Sequence, residues 1–186
     1  AEHIENVGYQ RNPIVAAKKG RYYIVLDGMH RVRAMQILGC RDIMVYETDY
    51  RGDKVKLMGW DALIFGKFNA LEYLKKVFSD KKFEIKKYRD FAGLHKKVLS
   101  REIIIGVRQK HGYVYTVSAK KKKERNNIDM IISATESYEF LIDAHKIKLL
   151  YVPNSTSYSD FTHSDASAMI VRPQFTKDEV IERTVH

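Results

Sequence analysis

The segment that most limits how this chain can fold is Tyr22-Tyr23-Ile24-Val25-Leu26-Asp27-Gly28-Met29-His30-Arg31, with a helical pattern starting at once behind it. Arg21 to Leu26 is rich in β-branched and aromatic residues and reads as a buried strand. Asp27-Gly28 ends it. Val32, Met35 and Leu38 recur at helical spacing over Met29 to Leu38, and Gly39 is the stop. A strand that passes through one Asp-Gly step into a helix leaves no room for a loop, so the turn must be tight and the helix N-terminus must stand at the strand's end.

That arrangement suits an anion. Glycine lets the backbone approach without a Cβ in the way. The first amides of a helix have no partner inside it, and the helix dipole puts its positive end there. His30 and Arg31 lie in that first turn, where cations are unfavourable unless they share an anion. Arg31 can grip phosphate oxygens with two donors, His30 can donate one hydrogen bond, and Asp27 is suited to a magnesium ion bridging phosphates. The plain alternative is a common Asp-Gly turn followed by a solvated basic pair.

Around this segment the first sixty residues read β-β-α-β. A short strand begins at Asn12-Pro13-Ile14-Val15-Ala16, Lys18-Lys19-Gly20 turns, and Ile43 to Glu47 is the next strand before the polar loop 48–53. Near Gly59-Trp60 the composition changes. Asp61 reads as the cap of a periodic helix carrying Ile64, Phe68, Leu71, Leu74 and Phe78 on one face, its aromatics serving the core. Lys81 to Lys97 is basic and ambiguous, and reads as a strand and a short helix. Glu102 to Val107 and Tyr113 to Val117 are strands joined around Lys110-His111-Gly112.

Beyond them, Lys120 to Asn127 is a charged turn, Met130 to Ile132 a strand and Glu136 to His145 a helix. Leu149 to Val152 is a strand and Asn154 to Asp165 a polar loop. Ala168 to Val171 is a further strand, and Thr176 to Arg183 is a capped helix. The expected fold class is therefore α+β, with mixed α/β character: a core over 1–60 and an α+β subdomain over 61–186.

Charge and composition narrow the partners. Lys and Arg number 33 against 23 Asp and Glu, a net charge of +10 that points to a polyanion, either nucleic acid or a nucleotide in a basic cleft. No apolar run approaches the roughly 20 residues needed to span a bilayer, and no secretory signal is visible, so a membrane partner is not expected. The single cysteine, Cys40, rules out an internal disulfide framework and suits a cytoplasmic protein, where it reads as a small packing residue. The seven histidines show no zinc-ligand spacing. His163 with Asp165 reads as a solvated pair more than a substrate contact. Arg172-Pro173-Gln174-Phe175 reads equally as an adenine wall or a strand end.

The strand–DGMHR–helix–strand run, Tyr23 to Gly39 followed by Ile43-Met44-Val45, resembles the ParB/sulfiredoxin-like superfamily, with Pro13-Ile14-Val15 matching the strand before it. Within it the chain is most similar to the free L-serine kinases, which make O-phospho-L-serine from serine and ATP or ADP. Glu47-Thr48-Asp49-Tyr50, then Trp60, then Pro173 and Thr176 to Val180 follow their pattern. The resemblance covers the first sixty residues and the last twenty; nothing in the middle carries a motif.

It implies that Gly28, Met29, His30 and Arg31 bind nucleotide phosphates, that Asp27 serves Mg2+ and phosphoryl transfer, and that Trp60 shapes the pocket for L-serine. It also implies a general-base glutamate before Ala1 and a Lys-Ser/Thr-Thr-Arg-His segment after His186, so both ends read as cut. Sulfiredoxin itself needs a cysteine where Met29 stands. The chromosome-partitioning relatives need a Gly-Glu-Arg-Arg turn and a helix-turn-helix, neither of which is evident. A ParB-like, nucleotide-dependent DNA-binding protein is the second expectation. The oligomeric state is left open.

Overall fold

The computed structural model describes residues 6, 8–53, 55–121, 129 and 147–183. Most of the charged turn at 120–127, the strand at 130–132 and the helix at 136–145 lie outside these residues. The chain divides into two compact units, Ala1–Leu57 with Thr176–His186, and Met58–Phe175. The C-terminal helix, expected in the second subdomain, thus belongs to the first unit, where Lys177 Nζ donates to the Gly52 carbonyl at 3.0 Å and Lys19 Nζ to that of Ile181 at 3.2 Å.

In the first unit, β1 (Ile14–Lys19) is central, antiparallel to β2 (Tyr22–Asp27) on one side and parallel to β3 (Val45–Thr48) on the other. Helix α1 (Met29–Ile37) makes the crossover between β2 and β3. β2 departs from the expected buried strand: as an edge it leaves Tyr22 and Tyr23 exposed, and only Ile24 is fully covered. The turn falls at Gly20-Arg21, since Lys18 and Lys19 belong to β1. α1 ends as expected at Leu38, with Gly39 at φ +66°. Cys40 is exposed rather than packed. Helix α5 (Lys177–Arg183) closes the unit's described residues, with Thr176 and Glu179 exchanging hydrogen bonds across its first turn, a capping box.

The second unit is built on a six-stranded sheet in the order β5 (Phe83–Tyr88), β7 (Val114–Ala119), β6 (Ile105–Gln109), β9 (Ala168–Val171), β4 (Trp60–Gly66) and β8 (Ile147–Pro153), with every recorded pairing antiparallel. Helix α2 (Ala70–Val77) packs Tyr73 and Leu74 on Ala62, Ile64, Val107 and Ile170 of one face. Helices α3 (Leu94–Leu99) and α4 (Ser157–His163) supply Leu94, Val98 and Phe161 to the other, against Leu63, Val114 and Met169.

Two expectations fail here for physical reasons. Residues 60–66 form a strand, and the helix starts only at Ala70, capped by Asn69, whose side chain accepts from the Glu72 amide at 3.2 Å. A strand covered on both faces shows no alternation, so Ile64 joined the helical apolar series by coincidence of spacing. The expected polar loop 154–165 contains α4, because Phe161 is drawn into the core and Ser157 into a buried polar contact, outweighing the poor helix propensity of Ser and Thr.

Candidate functional site

A bulge shapes the end of β2. Val15 pairs with Asp27 and Ala16 with Val25, so Leu26 is the extra residue and Asp27 is turned to the face of Val15. Gly28 follows at φ 95°, ψ 23°, a left-handed conformation, and caps α1 without any side-chain hydrogen bond. No acidic residue lies in the first turn. The helix begins with Val32 N–H donating to the Gly28 carbonyl at 2.9 Å, so the amides of Met29, His30 and Arg31 precede the first intrahelical bond.

Only glycine fits at position 28. A Cβ there would lie 2.8 Å from Ile14 Cγ2, and 2.7 and 2.9 Å from Nη2 and Nε of Arg31. The Arg31 guanidinium is therefore folded back across the turn. Its Nη2 donates to Asp27 Oδ2 at 2.8 Å, the Arg31 side chain being 29% exposed and that of Asp27 73%. Its Nε is buried and has no hydrogen-bond partner. A buried donor without an acceptor is costly, and a phosphate oxygen is the acceptor that uncapped amides and an arginine would share. Met29 and His30 are exposed beside it. Four of the expected residues, Asp27, Gly28, His30 and Arg31, thus meet in one turn, with Met29 contributing its backbone.

Trp60 is the first residue of β4, in the second unit, and is 49% exposed. The next residue is the one the sequence reading missed. Asp61 is fully buried, and its carboxylate gathers three donors from three elements. Oδ2 accepts from Ser157 Oγ of α4 at 2.6 Å and lies 2.7 Å from His95 Nε2 of α3, while Oδ1 accepts from the Arg172 amide after β9 at 3.0 Å. His95 Nε2 also stands 2.9 Å from Ser157 Oγ.

Serine, histidine and aspartate together are not a hydrolase relay here. The serine hydroxyl is buried and bonded to the aspartate, and one imidazole nitrogen faces both partners instead of one nitrogen facing each. The available sequence signal was weak: Asp61 follows a tryptophan within an apolar run, and its partners lie 34 and 96 positions away.

Other expectations resolve locally. His163 Nδ1 lies 2.8 Å from the Ser159 carbonyl at the end of α4, without Asp165. The Arg172 amide serves Asp61. A cavity of about 610 Å3 in the first unit opens between Lys18, Glu47, Tyr50 and Ile181, at the opposite end of β1 from the Gly28 turn. Among the described residues no group of three or more His, Cys, Asp or Glu is placed to hold a metal by itself, and no helix is long and apolar enough to cross a membrane.

No family model matches the sequence, and no curated protein matches it by sequence. Solved structures do match. A glutamate-to-alanine mutant of a free serine kinase in complex with AMP superimposes with a TM-score of 0.75 at 19% identity, covering 98% of this chain and 71% of that one. This chain has the free serine kinase fold. The ADP complex of that mutant matches with a TM-score of 0.71 at 20% identity, covering 97% of this chain and 70% of that one. SbnI with a C-terminal truncation, from Staphylococcus aureus, matches with a TM-score of 0.66 at 17% identity, covering 100% of this chain and 67% of that one. The α+β class expected from the pattern of elements is that of this chain, and its fold is shared with these structures.

Proposed function

We propose that this protein is a free L-serine kinase, transferring a phosphoryl group from ATP or ADP to the serine hydroxyl to give O-phospho-L-serine. The observation that carries the reading is the Arg31 guanidinium folded over Gly28 at an uncapped helix N-terminus, with Nε buried and unpartnered. Gly28 and the amides of Met29, His30 and Arg31 would cradle the terminal phosphates, and the His30 ring would donate to an outer oxygen. The fold shared with structures that hold AMP and ADP supports the same assignment.

In this reading Asp27 does two things. It holds Arg31 in place through one carboxylate oxygen, and it is exposed enough to reach an ion on the phosphates. Magnesium commonly binds through one or two carboxylates plus substrate phosphates, so a lone aspartate suits it and a cluster of three acids is not required. Bound there, the ion would neutralise charge on the transferring group. The serine oxygen forms a bond to the terminal phosphorus as the bond to the leaving nucleotide breaks, ATP leaving as ADP or ADP as AMP. The hydroxyl proton passes to a base. Trp60 would wall the amino-acid pocket.

Asp27→Asn and Arg31→Ala in the full-length protein test the assignment. Each is expected to lower kcat/KM for serine phosphorylation by at least about a hundredfold, with the circular dichroism melt retained. Full turnover in both folded variants removes the DGMHR turn from the chemistry and the proposal with it.

A further inference from the structure

Trp60 stands where the sheet gives it little support. Its partner across β4 and β8 is Pro153, which has no amide to donate, and the β9 ladder reaches only Ala62 to Ile64. Its backbone is held instead by its two neighbours. The Gly59 carbonyl accepts from the Asn154 amide at 3.0 Å, and the Gly59 Cα is pressed on the Gln174 side chain, so that a Cβ would come within 2.4 Å of it. Asp61 is fixed by Ser157, His95 and the Arg172 amide. In β4, Asp61 and Leu63 face the α3 and α4 layer, while Trp60 shares the opposite face with Ala62 and Ile64. A buried, fully engaged carboxylate on one side of the strand is thus the immediate neighbour in sequence of an exposed tryptophan on the other.

We infer that the buried Asp61–Ser157–His95 cluster is the positioning device of the amino-acid pocket, holding Trp60 in the orientation that binds the serine substrate. This rests on the kinase reading for the identity of the substrate, but not for the coupling between the cluster and Trp60. The cluster contacts neither substrate nor nucleotide; it acts through the indole. A hydrogen-bonded carboxylate with all its donors in place rigidifies its strand, and a binding group loses affinity when the shell that holds it is loosened.

Trp60 is the only tryptophan of the chain, so its fluorescence reports this place alone. Ser157→Ala and His95→Ala in the full-length protein are expected to lower Trp60 anisotropy and raise its quenching by acrylamide. They should raise KM for serine about tenfold, with kcat and the nucleotide KM within about threefold. His95→Gln, whose amide nitrogen reaches the place of Nε2, should restore both signals. A merely structural role would lower the melting temperature and leave the indole's mobility as it was. Wild-type anisotropy and quenching in folded Ser157→Ala and His95→Ala overturn the inference. If the wild-type protein phosphorylates no serine, the function proposal fails, and the two fluorescence readings still decide the cluster.

Discussion

At the scale of single residues, the first unit contains a hydroxyl with no partner. Tyr50 is 5% exposed, and its Oη is buried without a hydrogen bond. Burial first, and the Asp178 carboxylate second, push its ionisation above the ordinary tyrosine value of 10.0. Because the folded value is the higher one, the group's contribution to stability is complete below the unfolded value. It is lost as pH rises from there through the folded value. Tyr50→Phe removes both the titration and the orphaned hydroxyl. Urea unfolding should show the variant about 1 kcal/mol more stable near neutral pH and less sensitive to alkali above about pH 10. A variant of lower stability, or one with the wild-type alkaline slope, contradicts this description of Tyr50.

Gly28 is the other residue with a sharp expectation. Its positive φ and the contacts a Cβ would make with Ile14 and Arg31 mean that Gly28→Ala must displace the guanidinium or the helix start. Calorimetric titration with ADP should show at least about a tenfold loss of affinity. Affinity kept at the wild-type level would mean that phosphates do not sit on this turn. These residues were legible because a tight strand-to-helix step leaves few conformations, and Asp27, Gly28, His30 and Arg31 are contiguous in sequence. Asp61, His95 and Ser157 were not legible: each is ordinary in its own segment, and only the sheet brings them together.

At the scale of elements, strands bounded by turn residues were readable even where both faces are buried, and the strand headed by an aspartate was not. The strands over 105–109, 114–119 and 168–171 sit close to where β-branched runs and turn residues place them. β4 did not, since Asp61 imitated a helix cap in front of its apolar residues. The true cap, Asn69, offers a direct check on the α2 boundary. Asn69→Ala should destabilise the second unit by about 1 kcal/mol in denaturant melts, through loss of its bond to the Glu72 amide. No change in the midpoint would place the helix start elsewhere. α4 shows the opposite case, a Ser/Thr-rich stretch made helical by what it touches rather than by its own propensity.

At the scale of the molecule, the chain has a small three-stranded unit carrying the Gly28 turn and a larger antiparallel unit carrying Trp60 and the buried cluster. Among the described residues of the larger unit, every helix is separated from the next by a strand, and the net charge of +10 suits a nucleic-acid backbone. The charge suits a polyphosphate substrate equally well. The measurement closest to the central claim is product identification. The full-length protein is incubated with ATP or ADP, magnesium and a panel of free amino acids, and the products are read by mass spectrometry. O-phosphoserine formed from serine, with matching AMP or ADP release, is the predicted result. Nucleotide bound tightly but no phosphorylated amino acid formed would contradict the account.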